Sequence, residues 1–288
     1  MNKKPYFLSL LVLLLASLAC SVNINWPTTQ VKTGPLVTEA VQIPVPDAED
    51  VDLSLALGAG ELTLNPNGEK GLVDGTVAYN VPDFKPVITV QNGNISLEQG
   101  NLNIEGIPKF DEEVENQWDL KLGSTPMTLR IKAGAYVGKY DLGGLSLKNL
   151  FISDGAADVQ LDFSAPNLEE MGMLDYSTGA SNVTLTNLAN ANFAALVFKS
   201  GAGNYTLDFS GEFQRDANVK IDAGLSTVHI IVPEGMNVKL IFEGGLTNVA
   251  TTGNWEKLSD TSYVQVGEGP TLTITVNIGA GNLELSNP

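Results

Sequence analysis

SGAGNYTLDFSG, residues 200–211, returns in altered form as IGAGNLELSNP at 278–288 and as LGAGELTLNP at 57–66. Aligned on the first glycine of the phrase, eight copies stand at Gly58, Gly134, Gly155, Gly179, Gly201, Gly224, Gly245 and Gly279. From Gly134 to Gly245 the steps are 21, 24, 22, 23 and 21 residues. A near-constant period of this kind marks a repeat architecture.

The columns of the alignment show how each repeat is built. Three residues before the glycine stand Leu55, Ile131, Ile152, Tyr176, Phe198, Ile221, Phe242 and Val276. Five before stand Leu53, Leu129, Leu150, Leu174, Leu196, Val219, Leu240 and Ile274. Four and six residues after it most copies are apolar again, with gaps at Gly138 and Thr251. Alternation at period two on both sides predicts two strands per repeat, each with one buried face. Odd offsets are apolar before the glycine and even offsets after it. A straight strand cannot change parity in this way, because a slip of one residue sends every side chain to the opposite face. The chain must therefore bend at the glycine, a residue that reaches the backbone angles a corner often needs.

These columns predict an all-β fold, a parallel β-solenoid of stacked two-strand coils of about 22 residues with glycine corners. An antiparallel β-sandwich is the alternative, although hairpins do not demand the same residue type at the same offset in every unit. Two stretches break the period. Between Gly58 and Gly134 lie the looser copy VITVQNGNISLEQGNLNI (87–104) and the acidic FDEEVENQWDLKL (110–122). This region is expected to hold further coils with longer excursions. Between Gly245 and Gly279 an insertion near 253–269 suits a cap, since solenoid ends expose strand edges that need cover.

The N-terminus supplies an address. MNKKPYFLSLLVLLLASLAC begins with Lys3 and Lys4 and then runs almost wholly apolar to Ala16, the pattern of a signal peptide over 1–19. The run is shorter than the roughly 20 residues of a spanning helix. The lone cysteine, Cys20, follows Ser17-Leu18-Ala19 and resembles the lipidated residue of a bacterial lipobox. Ser17 stands where lipoboxes usually carry Leu, and an ordinary small-x-small cleavage site is the alternative. Residues 20–32 read as lipidated Cys and polar tether, 33–123 as an N-terminal β region of the solenoid, and 124–288 as its regular coils.

Composition narrows the chemistry. Of 288 residues, 16 are Lys or Arg and 33 are Asp or Glu, a net charge of −17 that disfavours nucleic acid and anionic lipid headgroups. One Cys and one His exclude an internal disulfide, a Cys/His zinc site and a Cys–His dyad. The single histidine, His229, sits in the strand pattern Thr227-Val228-His229-Ile230-Ile231-Val232, where an outward-facing strand residue is expected. Seven residues after the glycine the column reads Asn65, Asp141, Asp162, Thr186, Asp208, Ile231, Thr252 and Ser286. Asp141, Asp162 and Asp208 are the candidates for a cation ladder or for the paired carboxylates of a polysaccharide-cleaving β-helix. The opposing reading is a solvated sheet face, because neighbouring carboxylates repel by only about 1 kcal/mol in water. A calcium-binding β-helix would also repeat its Asp in every coil. Leu142, Phe163 and Phe209, eight after the glycine, share the parity of the buried positions and read as core.

LGAGELTL (57–64), GTVAYN (75–80), NQWDLKLG (116–123), PMTLRIKAGAYVGKYDLGGL (126–145), NLANANF (187–193), IIVPEGMNVKL (230–240) and GAGNLEL (279–285) together resemble the toast-rack family of bacterial proteins. That family neighbours the C-terminal domain of LiaF-type cell-wall-stress proteins and β-solenoid adhesins. The resemblance covers roughly 33–288 and implies a β-solenoid on an envelope protein. It brings no catalytic residues and no cofactor. The expectation is a non-catalytic lipoprotein facing outward at the cell envelope, binding an envelope protein or glycan, with self-association through solenoid ends also open. An envelope-stress sensor of LiaF type and a polysaccharide-active β-helix enzyme are the alternative functions.

Overall fold

The computed structural model describes residues 27–66, 68 and 71–288. The stretch 1–19 read as a signal peptide, and Cys20, lie outside them. Residues 27–32 and 103–112 belong to one compact unit, and 33–102 with 113–288 form the other. In chain order the strands are β1 (Thr28–Val31), β2 (Val37–Ile43), β3 (Val51–Pro66), β4 (Val73–Tyr79), β5 (Val87–Gln91), β6 (Asn94–Glu98), β7 (Ile107–Phe110) and β8 (Asn116–Leu122). The regular part continues with β9 (Met127–Asp141), β10 (Leu147–Asp162), β11 (Met171–Thr186), β12 (Phe193–Asp208) and β13 (Ala217–Ile231). It closes with β14 (Met236–Thr252), β15 (Glu256–Ser259), β16 (Ser262–Gln265) and β17 (Glu268–Ser286). In the smaller unit β1, within the stretch read as a tether, pairs in parallel with β7.

Eight long strands carry the fold: β3, β9 to β14 and β17. Each contains one corner glycine and bends there into two arms, so the two strands expected per coil are one continuous bent strand. Neighbouring long strands run parallel with every corner glycine in register, as in Asp154↔Ala133 and Ala156↔Ala135 on either side of Gly155. The stack is a parallel β-solenoid and not an antiparallel sandwich. The apolar columns become ladders inside it. Leu53, Leu129, Leu150, Leu174, Leu196, Val219, Leu240 and Ile274 are all buried, as are Leu142, Phe163 and Phe209. Aromatic neighbours interlock there, Tyr176 with Phe198 at 5.4 Å and Phe198 with Tyr205 at 5.2 Å between ring centroids.

The glycine column has a different cause from the one its sequence suggests. Left-handed φ angles occur at Gly60, Gly203 and Gly281, the second glycine of the phrase, and not at the corner glycines themselves. The corner glycine is required by close stacking. A Cβ on Gly224 would lie 2.4 Å from the carbonyl oxygen of Gly201, and one on Gly179 would lie 2.4 Å from that of Gly155. The second glycine meets both demands: at Gly203 φ is +151° and a Cβ would lie 1.8 Å from Ser181 O. GAG is thus two steric solutions side by side.

Stacking departs from chain order at one place. The sheet order ends β12-β13-β17-β14, so the last coil inserts before the seventh. Accordingly Gly279 stacks on Gly224, and Gly245 on Gly279. The insertion near 253–269 supplies β15 and β16, and β16 runs antiparallel along the first arm of β14 at Val238–Ile241. At the other end a single coil is split in two. β6 pairs the first arm of β3 and β8 pairs the second, both in parallel. Side-chain amides replace the corner between them. Gly58 N–H donates to Gln99 Oε1 at 2.9 Å, and Asn116 Nδ2 donates to Ala59 O at 2.7 Å. Antiparallel strands then finish this end, β5 on β6 and β4 with β2 beyond β8.

Candidate functional site

The outward face of the second arms collects the polar columns of the repeat. Across the stack, side chains five residues after the glycine include Thr63, Lys139, Gln160, Thr184, Thr206, His229 and Glu284. Three after it stand Asp158, Asn182, Asn204, Thr227 and Asn282, and Asn204 Nδ2 donates to Asn182 Oδ1 at 3.0 Å. A shallow groove crosses four rungs of this face, lined by Thr63, Lys139, Asp141, Gln160, Asp162 and Thr184. Parallel pairing makes such ladders unavoidable, because identical offsets repeat at roughly 4.8 Å.

Asp141 and Asp162 are paired across β9 and β10, as their shared offset requires. Asp208 lies beyond the rung of Thr186. Each carboxylate has protein donors. Asp141 accepts from Ser164 Oγ, at 2.7 and 2.8 Å to its two oxygens, and from Gly143 N–H at 2.9 Å. Asp162 Oδ1 accepts from Asn187 Nδ2 at 2.7 Å and Thr186 Oγ1 at 2.9 Å. Asp208 accepts from both the hydroxyl and the backbone N–H of Ser210, at 2.6 and 2.9 Å. Asp208 is thus tied to the turn that follows its own arm, Asp141 to its own turn and to that of the next coil, and Asp162 to the end of the next coil, a role that suits short acidic side chains beside turns. Among the described residues no three His, Cys, Asp or Glu side chains are grouped to hold a metal ion.

The other chemically capable residues are dispersed. His229 is half-buried on the outward parity, with Nε2 2.8 Å from Ser286 Oγ and with Thr206 and Glu284 as its cross-strand neighbours. Arg130 pairs with Asp52 at 2.9 Å and lies over the Phe151 ring at 4.4 Å. Arg215 donates to the carbonyls of Met171 and Asn192 and pairs with Glu170, which pins a loop to two coils.

One cluster is not foreseen by the repeat columns. Asp154 precedes corner Gly155 and points inward, only 9% exposed. Its Oδ2 accepts from the hydroxyls of Tyr176 at 2.8 Å and Tyr136 at 3.3 Å, and its Oδ1 from Thr178 Oγ1. Tyr140 donates to the Tyr136 hydroxyl at 2.9 Å. Thr178 Oγ1 is 2.6 Å from Ser181 Oγ, which accepts from Ala157 N–H at 3.0 Å. Burial raises the Asp154 carboxyl above the usual range, against the lowering effect of its hydroxyl donors. Burial also raises the phenols of Tyr136, Tyr140 and Tyr176, with the Asp154 charge adding to the effect, so they remain donors at neutral pH. The signal is present in two places. The column before the glycine turns polar at Asp154, Thr178 and Ser200, and the gap at Gly138 is where the rings of Tyr136 and Tyr140 enter, 2.9 Å from the position of a Cβ.

The family model described as the N-terminal domain of toast_rack, DUF2154, matches residues 32–186 and again 167–231. Among solved structures, the chain is similar to a candidate cell adhesion protein from Clostridium sporogenes at 20% identity and a TM-score of 0.50. That likeness covers 88% of this chain and 100% of the other, and it concerns the fold. A candidate adhesin from Bacteroides fragilis has 11% identity and a TM-score of 0.42, over 88% of this chain and 99% of its own. A candidate lipid-binding protein from Parabacteroides distasonis has 10% and 0.41, over 88% and 99%. No curated protein sequence matches the chain. The matched span takes in more than half of the chain and six of the eight corner glycines, so the protein belongs to the family of the toast_rack N-terminal domain.

Proposed function

We propose that this is a non-catalytic lipoprotein of the bacterial envelope, lipidated at Cys20, which holds its solenoid outside the membrane as an adhesin-like binding module. The observation that carries the reading is the polar face of the second arms. It runs across the stacked rungs, broken at Val137, Ile231 and Ala250, while the carboxylates that could do chemistry on it are engaged in bonds to their own turn or to the next coil. A rigid ladder of amides, hydroxyls and carboxylates suits recognition, since backbone pairing fixes each side chain before a partner arrives. The adhesion role given to the Clostridium sporogenes protein is in keeping with it. The partner is an envelope protein or an envelope glycan. Two acyl chains or more on Cys20 would make the anchoring firm, where one alone is marginal.

Two measurements test this. Mass spectrometry of the mature N-terminus should find a diacylated or triacylated Cys20, and Cys20→Ala should release the protein from the membrane fraction. The chain should retain a component of the envelope fraction while showing no turnover on a polysaccharide panel, with or without calcium. Turnover that disappears in an Asp141→Ala/Asp162→Ala double variant would overturn the non-catalytic reading.

A further inference from the structure

The solenoid ends in four strand arms, two at each end. Three of them finish in an antiparallel strand from outside the regular coils: β5 beyond β6, β4 and β2 beyond β8, and β16 with β15 on the first arm of β14. The fourth is bare. On one side the second arm of β14, Gly245–Thr252, pairs with β17, and among the described residues nothing pairs with its other side. Its outer edge therefore presents unpaired backbone N–H and C=O groups to solvent.

Open edges usually carry devices that discourage another strand, such as charges, proline or a bulge. β5, VITVQ, is itself neutral and is only preceded by Lys85-Pro86, but β2 holds Glu39 between Pro35 and Pro44 and β15 begins Glu256-Lys257, so two of the three finished edges follow that rule. The bare arm does not. From Gly244 to Gly253 the sequence GGLTNVATTG has no charge and no proline, and the register with β17 is unbroken through the arm. Leu246, on its outward side, is 86% exposed. Within the interior columns the arm also changes character, with Thr251 where other coils have Leu, Ile or Tyr.

We propose that this arm pairs with the same arm of a second copy of the chain, antiparallel about a two-fold axis near Val249. An antiparallel strand is what finishes each of the other three arms, and a two-fold axis generates one from β14 itself. The contact is isologous and closed, so it ends at a dimer. Its strand is neutral although each copy carries a net charge of −17, which means that like charges do not meet at the seam but the bodies repel. Association should therefore tighten as salt rises and screens that repulsion. The inference stands apart from the proposed binding role, which uses the face of the second arms and not their edge.

The test is sedimentation equilibrium of the full chain in density-matched detergent, from low to high micromolar concentration, at 20 and 500 mM NaCl. The expected result is a monomer–dimer equilibrium that favours dimer at 500 mM. Asn248→Lys with Ala250→Lys, both outward and exposed, sets lysines against each other across the axis and should leave only monomer at the same concentrations. Circular dichroism of the double variant should show an unchanged strand spectrum, which separates a lost contact from a lost fold. Hydrogen exchange supplies a readout on the unaltered chain: amides in 246–252 should gain protection with concentration, and those of β5 and β2 should not. A monomer under every condition, a dimer that survives the lysines, open-ended assemblies, or protection confined to β5 or β2 would each overturn the proposal.

Discussion

Replacing corner glycines by alanine tests the stacked geometry directly, because the space for the new methyl group differs from coil to coil. A Cβ would lie 2.4 Å from the facing carbonyl oxygen at Gly224, 2.9 Å at Gly155 and 3.2 Å at Gly279. Ordinary contacts of this kind begin near 3.4 Å. None of the three positions has a left-handed φ, so the penalty comes from contact and not from backbone strain. At Gly224 both flanking strands are hydrogen-bonded in register, β12 on one side and β17 on the other, and an overlap near 1 Å cannot be relieved by moving one side chain. Overpacking in a rigid interior costs about 1–3 kcal/mol, and the upper end applies here. Alanine also restricts the unfolded chain, which returns about 0.4–1 kcal/mol. The net expectation for Gly224→Ala is a loss of about 2 kcal/mol, for Gly155→Ala about 1 kcal/mol, and for Gly279→Ala a change within about 0.5 kcal/mol. Urea unfolding followed by circular dichroism reads the three midpoints, with the slope checked for constancy. If Gly224→Ala costs no more than Gly279→Ala, close stacking is not what holds glycine in this column.

Phe209→Ala, which empties a fully buried site, should cost roughly 3–5 kcal/mol in the same assay, while Thr206→Ala on the outward side of β12 should stay within about 0.5 kcal/mol. Comparable losses at the two sites would contradict the assigned faces. Asp154 makes a pH-dependent contribution. Because burial raises its carboxyl in the folded protein, the native state holds the proton more tightly than the unfolded chain does. That contribution is fully present below the unfolded pKa and is lost as pH rises through the raised folded value. The unaltered protein should thus gain stability relative to Asp154→Asn as pH falls from neutrality toward the ordinary carboxylate range; an opposite trend in the difference between their urea midpoints would show that hydrogen bonds, and not burial, dominate at this carboxyl.

The repeat itself is legible in the order of residues alone. Period-two columns on both sides of Gly201 and its counterparts require a bent strand with a single interior, and identical offsets require the same environment at each level. Parity places Phe209 and Leu142 inside and Asp141 beside Asp162, because it is a local property that parallel pairing merely copies from rung to rung. Stacking order is not legible. The signature of β17 fits a place beside β13 as well as a place beside β14, since both present the same columns, and only the chain path through β15 and β16 decides between them. The cause of the glycine column is also hidden, because a 2.4 Å approach to the Gly201 carbonyl belongs to two strands far apart in sequence. For the same reason Asp154 gives little sign of its surroundings. Its partners Tyr136, Tyr176 and Thr178 stand at three different offsets in the two coils that flank its own, and a hydroxyl cluster of that kind exists only once the coils are stacked. Sequence by itself determined the repeat unit, its buried face and the charge of the molecule. Tertiary structure decided the neighbour of each coil and the partners of its polar groups. Among the described residues it left the arm 245–252 as the one without a finishing strand, because pairing between distant strands is set by the whole chain path.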